Sequence, residues 1–277
     1  MPDELRVTIL ADNHAVETLA AEHGLSLWVE TGGRRILFDT GQGSVFENNA
    51  RLLDIPLEAT DALVLSHGHY DHAGGLPRLL ARAPEARVYG HPGIGRARFA
   101  VEGGKARPIG VPAGPADVLS RLGPGRFQAV SRPTALSERV GLTGPIPRET
   151  DFEDTGGPFF LDPLGTDADP IEDDLALWVR VRDGVVVCVG CSHAGLINTL
   201  NHVGRLCPGK RFRAVIGGFH LVHAGKDRLD RTVAALKSLG VERLVPCHCT
   251  GGGAVAFLRG ALGDIVTPGA SGMSFAF

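Results

Sequence analysis

Residues 65–76, LSHGHYDHAGGL, place His67, His69, Asp71 and His72 within six positions, directly after the apolar run DALVLS. Imidazoles two residues apart on one extended loop can face the same cation, so the spacing predicts that His67 and His69 share one metal. Asp71 and His72 fall where the chain turns into the following helix, and from there they can face a second cation. Neutral imidazoles with a carboxylate suit zinc, or manganese and iron where oxygen donors predominate.

The elements around the loop are those needed to hold it. Segments 5–10, 25–30, 34–40, 61–66 and 86–91 read as strands, with Gly32-Gly33 turning one hairpin. Residues 44–55 and 75–84 carry helical apolar spacing. After residue 175 the alternation returns, with strands at 175–181, 185–190, 211–218, 242–247 and 271–277 and helices at 194–207, 226–240 and 252–262. Strands followed by helices in both halves imply an α/β (α+β) fold with two sheets and helices on their outer faces. The stretch at about 103–174, rich in Gly, Pro and charge, reads as a loop-rich, lid-like insertion in a single domain spanning 1–277.

The composition narrows the classes. A net charge of −3 on 277 residues gives no reason to expect nucleic acid or an anionic membrane as partner. No apolar run approaches the roughly 20 residues of a membrane span. The acidic start MPDELRVTIL does not resemble a signal peptide, so a cytoplasmic location is expected. Five cysteines, an odd number, argue for reduced thiols rather than a disulfide framework.

Taken together, these motifs resemble the metallo-β-lactamase superfamily, whose signature is HxHxDH after an apolar strand. The resemblance extends over essentially the whole chain and implies a four-layer αββα sandwich with the metal site at the sheet edge between the halves. The segments EHGLSLWVE, LFDTGQ, LSHGHYDHAGGL, TGPIPRETDFE, GCSHAGLINTL, GGFHL and PCHCTG are similar, in this order, to the branch named 7,8-dihydropterin-6-methyl-4-(β-D-ribofuranosyl)aminobenzene-5′-phosphate synthase. By that resemblance Asp39 in LFDTG orients a metal-binding histidine, and His248 joins Asp71 and His72 at the second site. The superfamily's middle histidine has no counterpart, since residues 92–174 contain no histidine. His193 is expected to complete the first site in its place, with Cys191 as the other candidate ligand. His220 is a candidate ligand, substrate contact or proton donor, and Asp71 a ligand that also holds the attacking hydroxide. His91 is expected in a pocket or structural role, and His14, His23, His202 and His223 at the surface or in packing.

What the resemblance implies chemically is a dinuclear, metal-dependent hydrolase, zinc foremost, acting on a small molecule with a phosphate or ester group. The branch name implies instead a condensation in which the metals act on a pyrophosphate leaving group, with Arg148 reaching a phosphate or serving as a loop charge. An iron-dependent redox enzyme and a non-catalytic metal-binding protein are the alternatives. Retention of Asp71, His72 and His248 favours two metals over one iron. The oligomeric state is left open.

Overall fold

The computed structural model describes residues 4–277; the first three residues of the acidic start lie outside them. The strands of the first half are β1 (Leu5–Ala11), β2 (Ser26–Thr31), β3 (Arg34–Phe38), β4 (Ala62–Val64) and β5 (Arg87–Gly90). The middle of the chain adds β6 (Phe99–Glu102), β7 (Lys105–Pro108), β8 (Phe127–Ala129), β9 (Thr134–Ala135), β10 (Val140–Leu142) and β11 (Phe159–Phe160). The second half supplies β12 (Ala176–Val181), β13 (Gly184–Val189), β14 (Phe212–Gly218), β15 (Leu244–Cys247) and β16 (Ser274–Ala276). Seven α-helices accompany them: α1 (Val45–Leu52), α2 (Tyr70–Ala73), α3 (Leu76–Arg82), α4 (Ala113–Arg121), α5 (Leu196–Leu206), α6 (Lys226–Leu239) and α7 (Gly252–Leu262).

The strands form a seven-stranded sheet, β16-β1-β2-β3-β4-β5-β8, and a six-stranded sheet, β15-β14-β13-β12-β10-β9. The sheets pack face to face because their strands are apolar on both sides. In β13, Val186 and Cys188 enter the core between the sheets, while Val185, Val187 and Val189 face the helix side. In β3, Ile36 and Phe38 face the intersheet core and Leu37 the opposite side. Two-fold alternation thus buries both faces of these central strands. The outer faces are covered by α1 and α3 on the first sheet, and by α5, α6 and α7 on the second. This is the four-layer αββα sandwich.

Parallel pairing decides where loops can meet. β3, β4 and β5 run parallel in the first sheet, and β13, β14 and β15 in the second. The loops that leave their carboxyl ends therefore gather at one edge of the sandwich, the ordinary place for a site in α/β sheets.

The stretch 103–174 differs from the expectation of one loop-rich insertion. β8 extends the first sheet, β9 and β10 extend the second, and α4 packs near α3. Strands of two or three residues are too short to carry a period of two, so they leave no sequence signal. The covering structure starts earlier, at β6, and forms a separate three-stranded sheet, β11-β6-β7. Among the described residues no helix is long and apolar enough to cross a membrane.

Candidate metal centre

Most of the site residues sit just beyond the end of a strand, while Asp71 and His72 lie in α2. Asp39 follows β3, His67 and His69 follow β4, Cys191 and His193 follow β13, His220 follows β14, and His248 follows β15. Asp39, Ser192, His220 and His248 have φ of +61°, +56°, +45° and +47°. Such left-handed backbone in residues other than glycine costs on the order of 1–3 kcal/mol each and gathers at functional sites.

Asp39 is the hub of the scaffold. Its Oδ1 accepts the Ser66 backbone N–H at 2.7 Å. Its Oδ2 accepts the Ser66 hydroxyl at 2.7 Å and the His72 Nδ1–H at 2.7 Å. Because that hydroxyl proton is committed to Asp39, His67 must donate its Nδ1–H to Ser66 Oγ, 2.9 Å away. Asp39 therefore sets one histidine directly and a second through Ser66, leaving both Nε2 atoms directed into the centre.

His67, His69 and His193 form the first cluster, their donor atoms all within 4.8 Å of one another. His193 donates Nδ1–H to the Thr155 carbonyl at 2.8 Å, and His69 Nδ1 meets His67 Nε2 at 3.0 Å. The Nε2 atoms of His69 and His193 are buried and have no hydrogen-bond partner. Burial first, then the charge of neighbouring imidazoles, holds His67 and His193 well below the usual histidine pKa. Burial does the same at His69, with Arg98 adding to it and Asp71 opposing. Neutral imidazoles result, and those of His69 and His193 keep an unpartnered Nε2. Phe159 lies over the rings, its centroid 5.5 Å from His69 and 5.3 Å from His193.

The second cluster is built differently. Asp71 Oδ2 lies 3.3 Å from His248 Nε2 and 3.1 Å from His23 Nε2. His248 donates its Nδ1–H to Asn13 Oδ1 at 2.8 Å. Its Nε2 then faces a carboxylate oxygen as acceptor to acceptor, an arrangement that needs a proton or a metal ion between them. Burial would raise the Asp71 pKa, but His72, His23 and His248 outweigh it and hold the carboxyl well below its usual range. Cys191 stands between the clusters. Its Sγ is 3.1 Å from His72 Nε2, and it falls within 4.8 Å of donors in three sets, His67/His72, His193/His220 and His248/Cys249.

This donor set fits divalent metal. Buried, unpartnered imidazole nitrogens and a facing carboxylate and imidazole are unfavourable unless a cation sits among them. The proposed first-cluster ligands come together, and so do Asp71 and His248. His72 lies nearer to His67 and Cys191 than expected for a partner of Asp71 and His248 alone, its ring centroid 4.3 Å from His67 and 5.1 Å from His248. His220 lies against His193, ring centroids 4.4 Å apart, with its Nδ1 buried and unpartnered.

Arg148 does not face the cavity and is a correction to the phosphate role. Its guanidinium donates to the His193 carbonyl at 2.7 Å, to the Ile171 carbonyl at 3.3 Å and to the Pro170 carbonyl. Those carbonyls turn away from helix and sheet and need a donor, which fixes the arginine as a brace behind His193. His91 accepts the Gly93 N–H and lines a separate cavity with Arg148 and Asp174.

Sequence reasoning missed three contributors. His23, expected in a surface or packing role, reaches Asp71. Cys249 lines the cavity; its pairing with His248 in a Cys-His-Cys run was the available signal. Asp173 accepts the Gly68 N–H at 2.7 Å and binds Arg98 bidentately at 2.7 and 2.8 Å. Arg98 also meets Asp169 at 2.8 Å. Gly68 has no room for a side chain, since a Cβ would lie 2.0 Å from the Ile94 carbonyl oxygen. The buried Arg98 network thus grips the backbone between His67 and His69, 105 residues away in sequence from its aspartate. Nothing local in IEDDLALW announces that contact.

The centre opens into a cavity of ≈ 280 Å³ between the two sheets' edges and the β6-β7-β11 cover, with Arg107, Gly157 and Phe159 from that side.

Against known proteins, residues 20–248 match the family model described as the metallo-beta-lactamase superfamily. The 7,8-dihydropterin-6-methyl-4-(beta-D-ribofuranosyl)-aminobenzene-5'-phosphate synthase of Methanocaldococcus jannaschii is 32% identical, over 90% of this chain and 88% of its own. An uncharacterized protein of the same archaeon is 31% identical over 94% of this chain and 99% of its own. The crystal structure of Tm1679, a metal-dependent hydrolase of the beta-lactamase superfamily, superposes with a TM-score of 0.83 at 31% identity, covering 98% of each chain.

Proposed function

This chain belongs to the metallo-beta-lactamase superfamily, and from that premise we propose that it is a metal-dependent hydrolase holding two divalent cations, zinc foremost. Its substrate is a phosphate-containing or ester-type small molecule. The observation that carries the reading is the set of unmatched donors: buried, unpartnered Nε2 atoms on His69 and His193, and His248 Nε2 facing Asp71 Oδ2 at 3.3 Å. His67, His69 and His193 would hold one ion and His248 the other, with Asp71, His72 and Cys191 as further candidate donors to the second.

Two such ions, when bound, would supply a water of lowered pKa and would polarise the carbonyl or phosphoryl oxygen of the substrate. The protein's own groups do the rest. Asp39 keeps His67 and His72 in one tautomer and one orientation. Phe159 covers the imidazoles and excludes bulk water, which strengthens every charge interaction inside. His220 is the candidate proton donor to the leaving group: burial lowers its pKa, but the negative charge of the Cys249 sulfur and its hydrogen bond to the ring raise it further. The name of the archaeal synthase points to a pterin-type, phosphate-bearing substrate within this class, and the ≈ 280 Å³ cavity suits a small molecule.

Protein purified without added metal is expected to carry about two zinc ions per chain, as dinuclear sites do, and to hydrolyse a chromogenic phosphodiester or ester. Chelation removes the turnover and zinc restores it. Replacing His69→Ala abolishes it; unchanged turnover in that variant overturns the proposal, and one tightly held iron per chain points to redox chemistry instead.

A further inference from the structure

The five cysteines are of two kinds. Cys188 and Cys247 pack into the core between the sheets, and Cys207 into the core beneath the helices of the second sheet. Burial alone pushes Cys188 up to about 12, as expected of a thiol used as a small hydrophobe. Cys191 and Cys249 belong to none of the apolar clusters; both are buried and both line the cavity of the metal centre. The left-handed turn at His248, φ +47°, separates Cys247 in the core from Cys249 in the site.

The donor atoms of Cys191, His248 and Cys249 lie within 4.8 Å of one another. The Cys249 Sγ lies 3.8 Å from the Cys191 carbonyl oxygen, a long contact for a weak donor, and its other polar neighbours, the Cys191 thiol and the His220 ring, are themselves groups of the centre. Space for it is made by Gly218, where a Cβ would stand 2.6 Å from that sulfur and 2.5 Å from the Gly190 carbonyl oxygen. Two thiols and an imidazole, converging on a cavity and with the imidazole's other nitrogen held by Asn13, make a donor set of their own.

We propose that Cys249 is a metal ligand, joining Cys191 and His248 to make the second site a thiolate-rich zinc site. The inference rests on the metal-dependent reading above. On binding, each thiol gives its proton to solvent, two metal–sulfur bonds and one metal–nitrogen bond form, and no electron is transferred. Three protein donors leave a fourth position for water or substrate, the pattern of catalytic zinc. Asp71 and His72 then border the ion from the loop side. Soft sulfur donors favour zinc over manganese at this site, whereas the all-imidazole first cluster discriminates less.

The test uses the full chain with cobalt(II) in place of zinc and reads the sulfur-to-cobalt charge-transfer absorption in the near ultraviolet. The wild-type protein is expected to show it, Cys249→Ser to lose about half the intensity, and the Cys191→Ser/Cys249→Ser double variant to lose all of it. Equilibrium dialysis should show the double variant retaining the first ion while its preference for zinc over manganese at the second falls by about tenfold or more. Circular dichroism checks that the variants fold, and cadmium-113 NMR of the wild-type protein reports thiolate ligation without any substitution. Two bound cobalt ions with no sulfur band, or a band untouched in Cys249→Ser, overturns this inference and leaves the metal-dependent reading intact. A wild-type chain that binds no divalent metal overturns both.

Discussion

His67 and His193 are 0% exposed, and each is tied to a different part of the chain, one to Ser66 and Asp39, the other to the Thr155 carbonyl. On the other side of the centre, Asp71 faces a His23 side chain that is 54% exposed, and the neighbouring donors include two thiols. Both sides line the cavity, but the closed side is a set of imidazoles under Phe159, and the open side a mixed set of carboxylate, imidazole and sulfur with the half-exposed His23 at its rim. The difference teaches what each can contribute. The closed side holds neutral nitrogen donors in fixed positions, suited to positioning an ion. The other side carries a carboxylate, imidazoles and thiols that are buried apart from the half-exposed His23, which links them to solvent.

The sharpest way to break this comparison is to remove a closed-side ligand. His193→Ala is expected to lower turnover of a chromogenic phosphodiester by upwards of about a thousandfold, the scale of losing a central catalytic group, and to leave one metal ion per chain by elemental analysis. Retention of two ions would show that the closed side does not depend on His193.

Next is the grip on the loop backbone. Asp173→Ala leaves Arg98 with half its buried partners and frees the Gly68 N–H, so stability should fall by about 3 kcal/mol in denaturant unfolding. Metal at the open side should survive where the fold does. Asp39→Asn then tests whether the two sides share a scaffold. Since that carboxylate sets His72 directly and His67 through Ser66, affinity for both ions should weaken about 10- to 100-fold in metal titrations. A loss confined to one side would separate them.

The mildest contrast is in pH. Burial would lower the His72 pKa, but Asp39 and Asp71 raise it to about 9. In the metal-free protein that ring carries a proton below about pH 9, so a metal ion taking its Nε2 must displace it, and open-side affinity should rise by at least about tenfold per pH unit up to that point, more where thiol protons leave as well. His67, His69 and His193 are depressed and already neutral, so closed-side binding should be flat from pH 7 to about 9. The same proton stabilises the metal-free fold fully below the unfolded value of about 6.5. That contribution fades as pH rises through about 9. Proton release measured by calorimetry in two buffers distinguishes the sides.

How much of this was legible in the chain varies with the range of the interaction. Hairpin β2–β3, the long helices and the buried strands followed from local periodicity, and α6 stops at Gly240, whose φ of +64° suits a left-handed cap. The short strands β8, β9 and β10 did not, because two or three residues carry no period and their partners lie in sheets formed elsewhere. Arg148 reads from the sequence as a phosphate contact or a loop charge; the carbonyls of His193, Pro170 and Ile171, brought beside it by folding, take its donors.

What the sequence by itself determined is the chemistry of the donors: an HxHxDH loop after an apolar strand, and histidines or cysteines at the ends of later strands, are set by residue type and local spacing. Which donors meet was decided by tertiary structure. Parallel pairing of β13, β14 and β15 and the stacking of two sheets put Cys191, His220 and His248 at one edge with a loop more than 100 residues earlier. A carboxylate, imidazole or thiol has the same identity wherever it lies, but its pKa, its free lone pairs and its partners depend on burial and distance. Those quantities exist only once the sheets have closed on each other.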